Sequence, residues 1–249
     1  MLNVTDLGSG TPILWVHGFP LSSSMYENQL AIRGVEHVMP DLPGFGQSRP
    51  QGGGMTIDGY ARLMVAELDH RGIDRAVFAG FSMGGYICLA AARLMPRRLC
   101  GLILIDTKET ADTEEARQGR YASIEKVKKE GVQPIIDSML PKMLTSDAPP
   151  ETKVRVREIM SSSTPEGVMA ALGAMAGRAD SSAVLATIAV PVLIIVGEED
   201  SITPPADAER MTKMIPAARL AHIAGAAHLS TMEKPEQVNL EIAKFVSGI

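Results

Sequence analysis

The chain has 249 residues, 45% of them apolar and 21% charged, which fits an ordinary soluble globular protein of one large domain or two small ones. A net charge of −5 and a pI near 5.6 argue against a nucleic-acid partner, which would need a basic face. The start of the chain has no basic stretch leading into an apolar one, so no secretory signal is read there. The apolar runs are too short to span a bilayer. Cys88 and Cys100 form neither a disulfide framework nor a metal spacing and read as buried free thiols. A cytoplasmic location with no membrane partner is the expectation.

Taken in chain order, short aliphatic runs alternate with longer helical patterns, the mark of a parallel sheet flanked by helices. Strands are expected at 12–16, 36–41, 76–80, 99–105, 191–197 and 219–223, with 2–6 as an antiparallel edge strand. Unbroken runs such as Leu102-Ile103-Leu104-Ile105 and Val192-Leu193-Ile194-Ile195-Val196 suit central strands buried on both faces. Helices are expected at about 26–32, 56–70, 83–94, 206–214 and 235–246, the last opening on Pro235, where a missing N–H costs little. Between about 108 and 183 the pattern is helical throughout, punctuated by Pro134, Pro141, Pro149, Pro150 and Pro165. This predicts a core of 1–107 and 184–249 with a helical cap, 108–183, over the C-terminal edge of the sheet, where ligands of open α/β sheets bind. The cap methionines, Met139, Met143, Met160, Met169 and Met175, read mainly as core filling. The basic run Lys126-Val127-Lys128-Lys129 reads as a solvated helix face.

Gly80-Phe81-Ser82-Met83-Gly84 has the G-x-S-x-G spacing, and it lies between a strand (76–80) and an apolar helix (83–94). A turn this sharp strains the central residue, and Cβ atoms two residues to either side would collide. Ser82 is thereby lifted to a helix N-terminus, where partial positive charge favours a developing anion. The competing reading is that Ser82 merely caps the helix, but a cap does not require flanking glycines.

A serine hydroxyl attacks poorly unless a base removes its proton. Of five histidines, His37, His70 and His222 lie within predicted elements and read as structural, and His17 as loop-shaping. His228 follows the last strand in the small-residue stretch Gly225-Ala226-Ala227 and is the candidate base. An imidazole needs a carboxylate to fix its tautomer. Asp200 is the candidate, with Glu198 and Glu199 as close rivals and Asp106 as a more distant one. His17-Gly18-Phe19-Pro20 follows the first core strand, so the backbone N–H groups of Phe19 and Met83 are the candidate oxyanion donors. Asp41 to Ser48, with Gly44 and Gly46, reads as a supporting loop and carries no phosphate-binding signature.

These segments, running from His17-Gly18-Phe19-Pro20 through Gly80–Gly85 and Gly197–Asp200 to His228, resemble the α/β-hydrolase superfamily, and within it small esterases and 3-oxoadipate enol-lactonases. The resemblance implies an α/β fold with a Ser82–Asp200–His228 triad that cleaves a small carboxylic ester or lactone through an acyl-enzyme, with no metal or organic cofactor. Serine at the nucleophile position separates the chain from the aspartate-bearing haloalkane dehalogenases and epoxide hydrolases. Two alternatives share the fold: a triad enzyme acting on thioesters or C–C bonds, and a small-molecule receptor with little turnover. An anionic lactone would ask for a cation in the cap, for which Arg117, Arg120 and Lys142 are candidates that nothing in the sequence ranks.

Overall fold

The computed structural model describes residues 2–52 and 54–249. Seven strands form one sheet in the order β1-β3-β2-β4-β5-β6-β7: β1 (Val4–Gly8), β2 (Thr11–Val16), β3 (Val35–Pro40), β4 (Ala76–Phe81), β5 (Leu99–Ile105), β6 (Val192–Gly197) and β7 (Ala218–Ile223). Only β1 is antiparallel, pairing Val4 with Pro40 and Gly8 with Glu36 on β3. The others run parallel, so β4 to β7 all end at the same edge.

Side chains alternate between two buried layers, as the period of two requires. Leu14, Val16, Phe78, Leu102, Leu104 and Ile194 face one layer with α1 (Ile57–His70) and α2 (Met83–Leu94). Ile13, Trp15, Val77, Ile103, Ile105 and Ile195 face the other, with the C-terminal helix Pro235–Val246. This explains the unbroken apolar runs in β5 and β6. Caps fall where side chains can supply them: Thr56 Oγ1 accepts from Gly59 N–H at the head of α1 at 3.0 Å.

Five helices lie between β5 and β6: α3 (Glu114–Glu130), α4 (Gln133–Met143), α5 (Pro150–Ser161), α6 (Pro165–Ala176) and the single turn α7 (Ser182–Leu185). After β6 come α8 (Pro205–Met214), the short α9 (Ser230–Glu233) and α10 (Pro235–Val246). In the insertion α3 packs on α6 and α4 on α5. Val127, Val168 and Leu172 extend the first apolar layer, while Ile136, Met143, Val156 and Met160 extend the second. Three of the five insertion methionines, Met143, Met160 and Met175, are buried, and Met139 and Met169 pack against the core. Lys126, Lys128 and Lys129 are exposed around a buried Val127, as a solvated face should be.

The insertion is fastened to two loops of the sheet edge. Gly44 (φ +84°) and Gly167 meet backbone to backbone: a Cβ on Gly44 would lie 2.4 Å from Gly167 Cα, and one on Gly167 would lie 2.5 Å from Gly44 O. Gly44 O also accepts from Thr164 N–H at 2.8 Å and from Thr164 Oγ1 at 3.0 Å. Ser163 Oγ donates to Pro20 O at 3.0 Å.

Several details differ from the sequence expectation. The edge strand lies two residues later than 2–6, and the helix expected at 26–32 is a 3-10 helix over Ser23–Ala31. Cys88 is buried, but Cys100 is only half-buried. His222 is exposed on the edge strand β7. No helix among the described residues is long and apolar enough to cross a membrane.

Trp15, the only tryptophan, donates its Nε1–H to His37 Nδ1 at 3.2 Å and stacks on that imidazole. His37 Nε2 lies 3.2 Å from Ile32 O, so the neutral ring accepts at one nitrogen and donates at the other. Burial lowers the His37 pKa from its ordinary value, against a smaller rise from the Ile32 carbonyl. The unfolded chain then takes up a proton near pH 6.5 while the folded one does not, and this site loses stability as the pH falls through that range. His37→Asn keeps an acceptor for Trp15 but does not titrate. We expect the variant to melt below the wild type at pH 7.5 and the gap to narrow at pH 5.5, with Trp15 emission as the probe. A gap that stays constant or widens contradicts this account.

Candidate functional site

Ser82 connects β4 to α2 with φ 51° and ψ −114°, a conformation that costs a non-glycine residue on the order of 1–3 kcal/mol. The turn is possible because its neighbours lack side chains. A Cβ on Gly80 would lie 2.3 Å from Gly84 O, one on Gly84 would lie 1.9 Å from Val16 O, and one on Gly85 would lie 2.4 Å from Thr107 Oγ1. Ser82 makes no side-chain cap to α2, which removes the capping explanation for its presence. Its backbone is held at both ends: Ser82 N–H donates to Ile105 O at 2.9 Å, and Thr107 Oγ1 donates to Ser82 O at 2.7 Å.

The chain's far end supplies the partner. His228 Nε2 lies 3.0 Å from Ser82 Oγ, and His228 Nδ1 lies 2.8 Å from Asp200 Oδ2. Asp200 and His228 are 3% and 1% exposed, so this ion-pairing geometry sits out of bulk water. Asp200 Oδ1 accepts from the N–H groups of Ile202 at 2.8 Å and Thr203 at 3.0 Å, and Oδ2 also accepts from Thr203 Oγ1 at 2.7 Å. Burial pushes the Asp200 carboxyl up, but the bonds from His228 and Thr203 together outweigh it and hold it below the usual carboxylate range. Asp200 is thus an acceptor, which places the His228 proton on Nδ1 and leaves Nε2 free to accept from Ser82.

The other acids fall away. Glu198 and Glu199 are exposed, and they precede the turn that buries Asp200. Asp106 is fully buried, but its oxygens meet Gly197 N–H at 2.8 Å and Ser230 Oγ, and no bond joins it to His228.

The segment carrying His228 is pinned on both sides. Ala227 N–H donates to Glu233 Oε2 at 2.8 Å, and Leu229 N–H donates to Met143 O at 2.8 Å. Glu233 Oε1 in turn accepts from Thr145 N–H and Thr145 Oγ1, so the insertion holds this loop as well.

The 17–20 loop lies against the serine turn. A Cβ on Gly18 would lie 2.5 Å from the Phe81 ring and 3.0 Å from Phe81 O. His17 shapes this loop as expected: its Nδ1 meets Gly18 O at 3.0 Å, and its Nε2 accepts from Leu42 N–H at 2.9 Å. Burial lowers the His17 pKa, which suits a neutral ring. The first α2 donors to bond back to Ser82 O are Gly85 and Tyr86, which leaves Met83 N–H ahead of them in the first turn. Phe19 directly follows Gly18. The two N–H groups proposed from sequence thus belong to backbone segments packed around the same serine.

The sequence reading missed Thr203, Thr107 and the buried Arg178. Of the three cap cations named, Arg117 pairs with Glu114, Lys142 is exposed, and only Arg120 turns inward, to Asp112. Asp112 also accepts from Arg178 Nη1 at 2.6 Å, and the Arg178 guanidinium lies 4.2 Å over the Tyr86 ring, one turn beyond Ser82. Burial raises the Asp112 carboxyl, yet the two guanidinium groups outweigh it and hold it below its ordinary range. Thr203 did carry a signal: Asp200 followed by N–H groups two and three residues on is an Asx-type turn ahead of Pro204-Pro205. Arg178 carried none, because its carboxylate partner is 66 residues away.

A family model for the alpha/beta hydrolase fold matches residues 11–235. The chain belongs to the α/β hydrolase fold family. This α/β hydrolase is similar over its whole length to the solved structure of a thermophilic esterase from Thermogutta terrifontis, at 37% identity and a TM-score of 0.97, covering 99% of this chain and 93% of that one. It is also 30% identical to the AB hydrolase superfamily protein YisY of Bacillus subtilis, over 98% of this chain and 94% of the relative. A 3-oxoadipate enol-lactonase 2 from Acinetobacter baylyi is 28% identical over 87% of this hydrolase and 81% of its own length.

Proposed function

We propose that this α/β hydrolase cleaves a small carboxylic ester or lactone through an acyl-enzyme on Ser82. The observation that carries the reading is the continuous array from Ser82 Oγ to His228 Nε2 at 3.0 Å and from His228 Nδ1 to Asp200 at 2.8 Å. In the proposed reaction Ser82 Oγ attacks the acyl carbon as His228 takes its proton, and Asp200 stabilises the imidazolium. The N–H groups of Phe19 and Met83 receive the oxyanion. His228 then returns the proton to the departing alcohol, and a water activated by the same ring releases the acid. For a lactone, alcohol and acid remain one molecule. The chain's own groups supply every proton transfer in this scheme.

The esterase and enol-lactonase likenesses support an oxoester or lactone over a thioester or a C–C bond.

The test is labelling with a fluorophosphonate, mapped by mass spectrometry, followed by a panel of p-nitrophenyl esters, lactones, thioesters and 1,3-diketones. The expected result is one phosphonylated residue, Ser82, with turnover highest on oxoesters or lactones. Labelling elsewhere removes the proposal. Labelling at Ser82 with negligible turnover across the panel favours the receptor reading.

A further inference from the structure

The three residues that end β5 and follow it touch every member of the Ser82–His228–Asp200 array or the loop that carries it. Ile105 O accepts from Ser82 N–H, and Thr107 Oγ1 donates to Ser82 O. Between them Asp106 reaches in two directions. Its Oδ1 accepts from Gly197 N–H at 2.8 Å, at the head of the loop that ends in Asp200, and its Oδ2 accepts from Ser230 Oγ, two residues beyond His228. We propose that Asp106 is a positioning residue for catalysis, a single carboxyl that sets the separation between the loop carrying the acid and the loop carrying the base. The proposal rests on the reading of Ser82 and His228 as nucleophile and base.

Three features separate this role from ordinary packing. Asp106 has φ 45°, in the left-handed region, and with Ser82 it is one of two non-glycine residues with positive φ among those described. It is completely buried, where an aliphatic side chain would serve packing without desolvating a carboxyl. It also stands close enough to Asp200 for burial first, and then the Asp200 charge, to push its pKa well above the ordinary value. A strained, desolvated acid beside a second acid is a poor choice for filling space. It is a suitable one for joining two loops, because a carboxyl offers two oxygens in fixed relation. The other pins on the histidine segment, Ala227 N–H to Glu233 and Leu229 N–H to Met143 O, leave Ser230 to be held by Asp106.

Asparagine keeps the size and shape of this side chain, with a polar atom at each of its two positions. In Asp106→Asn the amide oxygen can still accept from Gly197 N–H, and the amide N–H₂ can donate to Ser230 Oγ once that hydroxyl turns to accept. In Asp106→Ala every bond from Gly197 and Ser230 to this side chain is lost. We expect Asp106→Ala to lower kcat for an activated ester by about 10- to 100-fold with KM within about twofold, the signature of displaced reacting groups. Asp106→Asn is expected to restore kcat to within about threefold of wild type, and Ser230→Ala, which loses the hydroxyl bond alone, to fall between them.

The experiment is steady-state kinetics on the four proteins, with melting curves to confirm the native fold and fluorophosphonate labelling rates measured in parallel. Slower labelling and lower kcat in Asp106→Ala, rescued by Asp106→Asn, supports the inference. Folded Asp106→Ala with wild-type kcat overturns it, as does a loss confined to KM, or an Asp106→Asn variant as damaged as Asp106→Ala. If Asp106→Ala does not fold, Ser230→Ala decides, and wild-type kcat there overturns the role. Failure of wild-type Ser82 to label removes the nucleophile reading and this inference together; labelling at equal rates in all four proteins removes the inference alone.

Discussion

Replacing Ser82 with alanine is expected to lower kcat/KM for p-nitrophenyl butyrate by at least about 10⁴-fold, leaving only the background that binding and oxyanion contacts provide. The protein should remain folded. The Ser82 side chain makes no cap to α2, and among the described residues its hydrogen-bond partner is His228 Nε2 alone. The turn itself is held by backbone groups and by Thr107, none of which the substitution removes. Melting temperature should therefore stay close to wild type, as for a substitution outside the core, within about 0.5 kcal/mol. A folded Ser82→Ala protein with wild-type turnover would place the chemistry elsewhere.

Asp200→Asn is expected to cost about 10³- to 10⁴-fold in kcat, and the geometry explains why so conservative a change should matter. Two backbone donors, Ile202 N–H and Thr203 N–H, point at Oδ1. In the asparagine variant that position must be the amide oxygen, so the amide N–H₂ is forced toward His228 Nδ1. A donor facing Nδ1 favours the tautomer with the proton on Nε2, and that nitrogen then donates to Ser82 instead of accepting from it. The base is present but holds its proton at the wrong end. Because the backbone bonds persist, the fold should be little disturbed, and calorimetry alongside kinetics separates the two effects. An unchanged kcat would dismiss Asp200 as the orienting acid.

How far the molecule could be read from its sequence depended on what kind of interaction fixed each part. β5 spans Leu99–Ile105 as expected and β6 begins one residue late at Val192, because strands buried on both faces leave continuous aliphatic runs. α2 and α10 match at both ends, where the serine turn and Pro235 mark their starts. β1 was misplaced by two residues: all but its first residue are exposed, so no burial pattern fixes its register. Ser82 and His228 were legible as strand-end residues flanked by glycine or small residues. The acid was harder, since Glu198, Glu199 and Asp200 are adjacent and only the Thr203 turn distinguishes the one that is buried. Of the Asp112–Arg120–Arg178 cluster only Arg120 was named from the sequence, and nothing there ranked it above Arg117 or Lys142. Asp112 pairs with Arg120 eight residues on and with Arg178 66 residues on, spacings that leave no periodic trace, whereas Arg117 and Lys142 have the same composition signal and lie outside the cluster.

The backbone approach of Gly44 to Gly167 bears on how new specificities could be built on this scaffold. Transplanting α3 to α7 from a relative would succeed only if the donor segment brought a residue without Cβ at the Gly167 position, since the host loop offers no space for one. A graft that ignores this would shift the inserted helices by roughly the width of a methyl group and disturb Ser163, Thr164 and, through Pro20, the loop that carries the proposed oxyanion donor. Diversification is better directed at the outward face of α5, which carries exposed Val154.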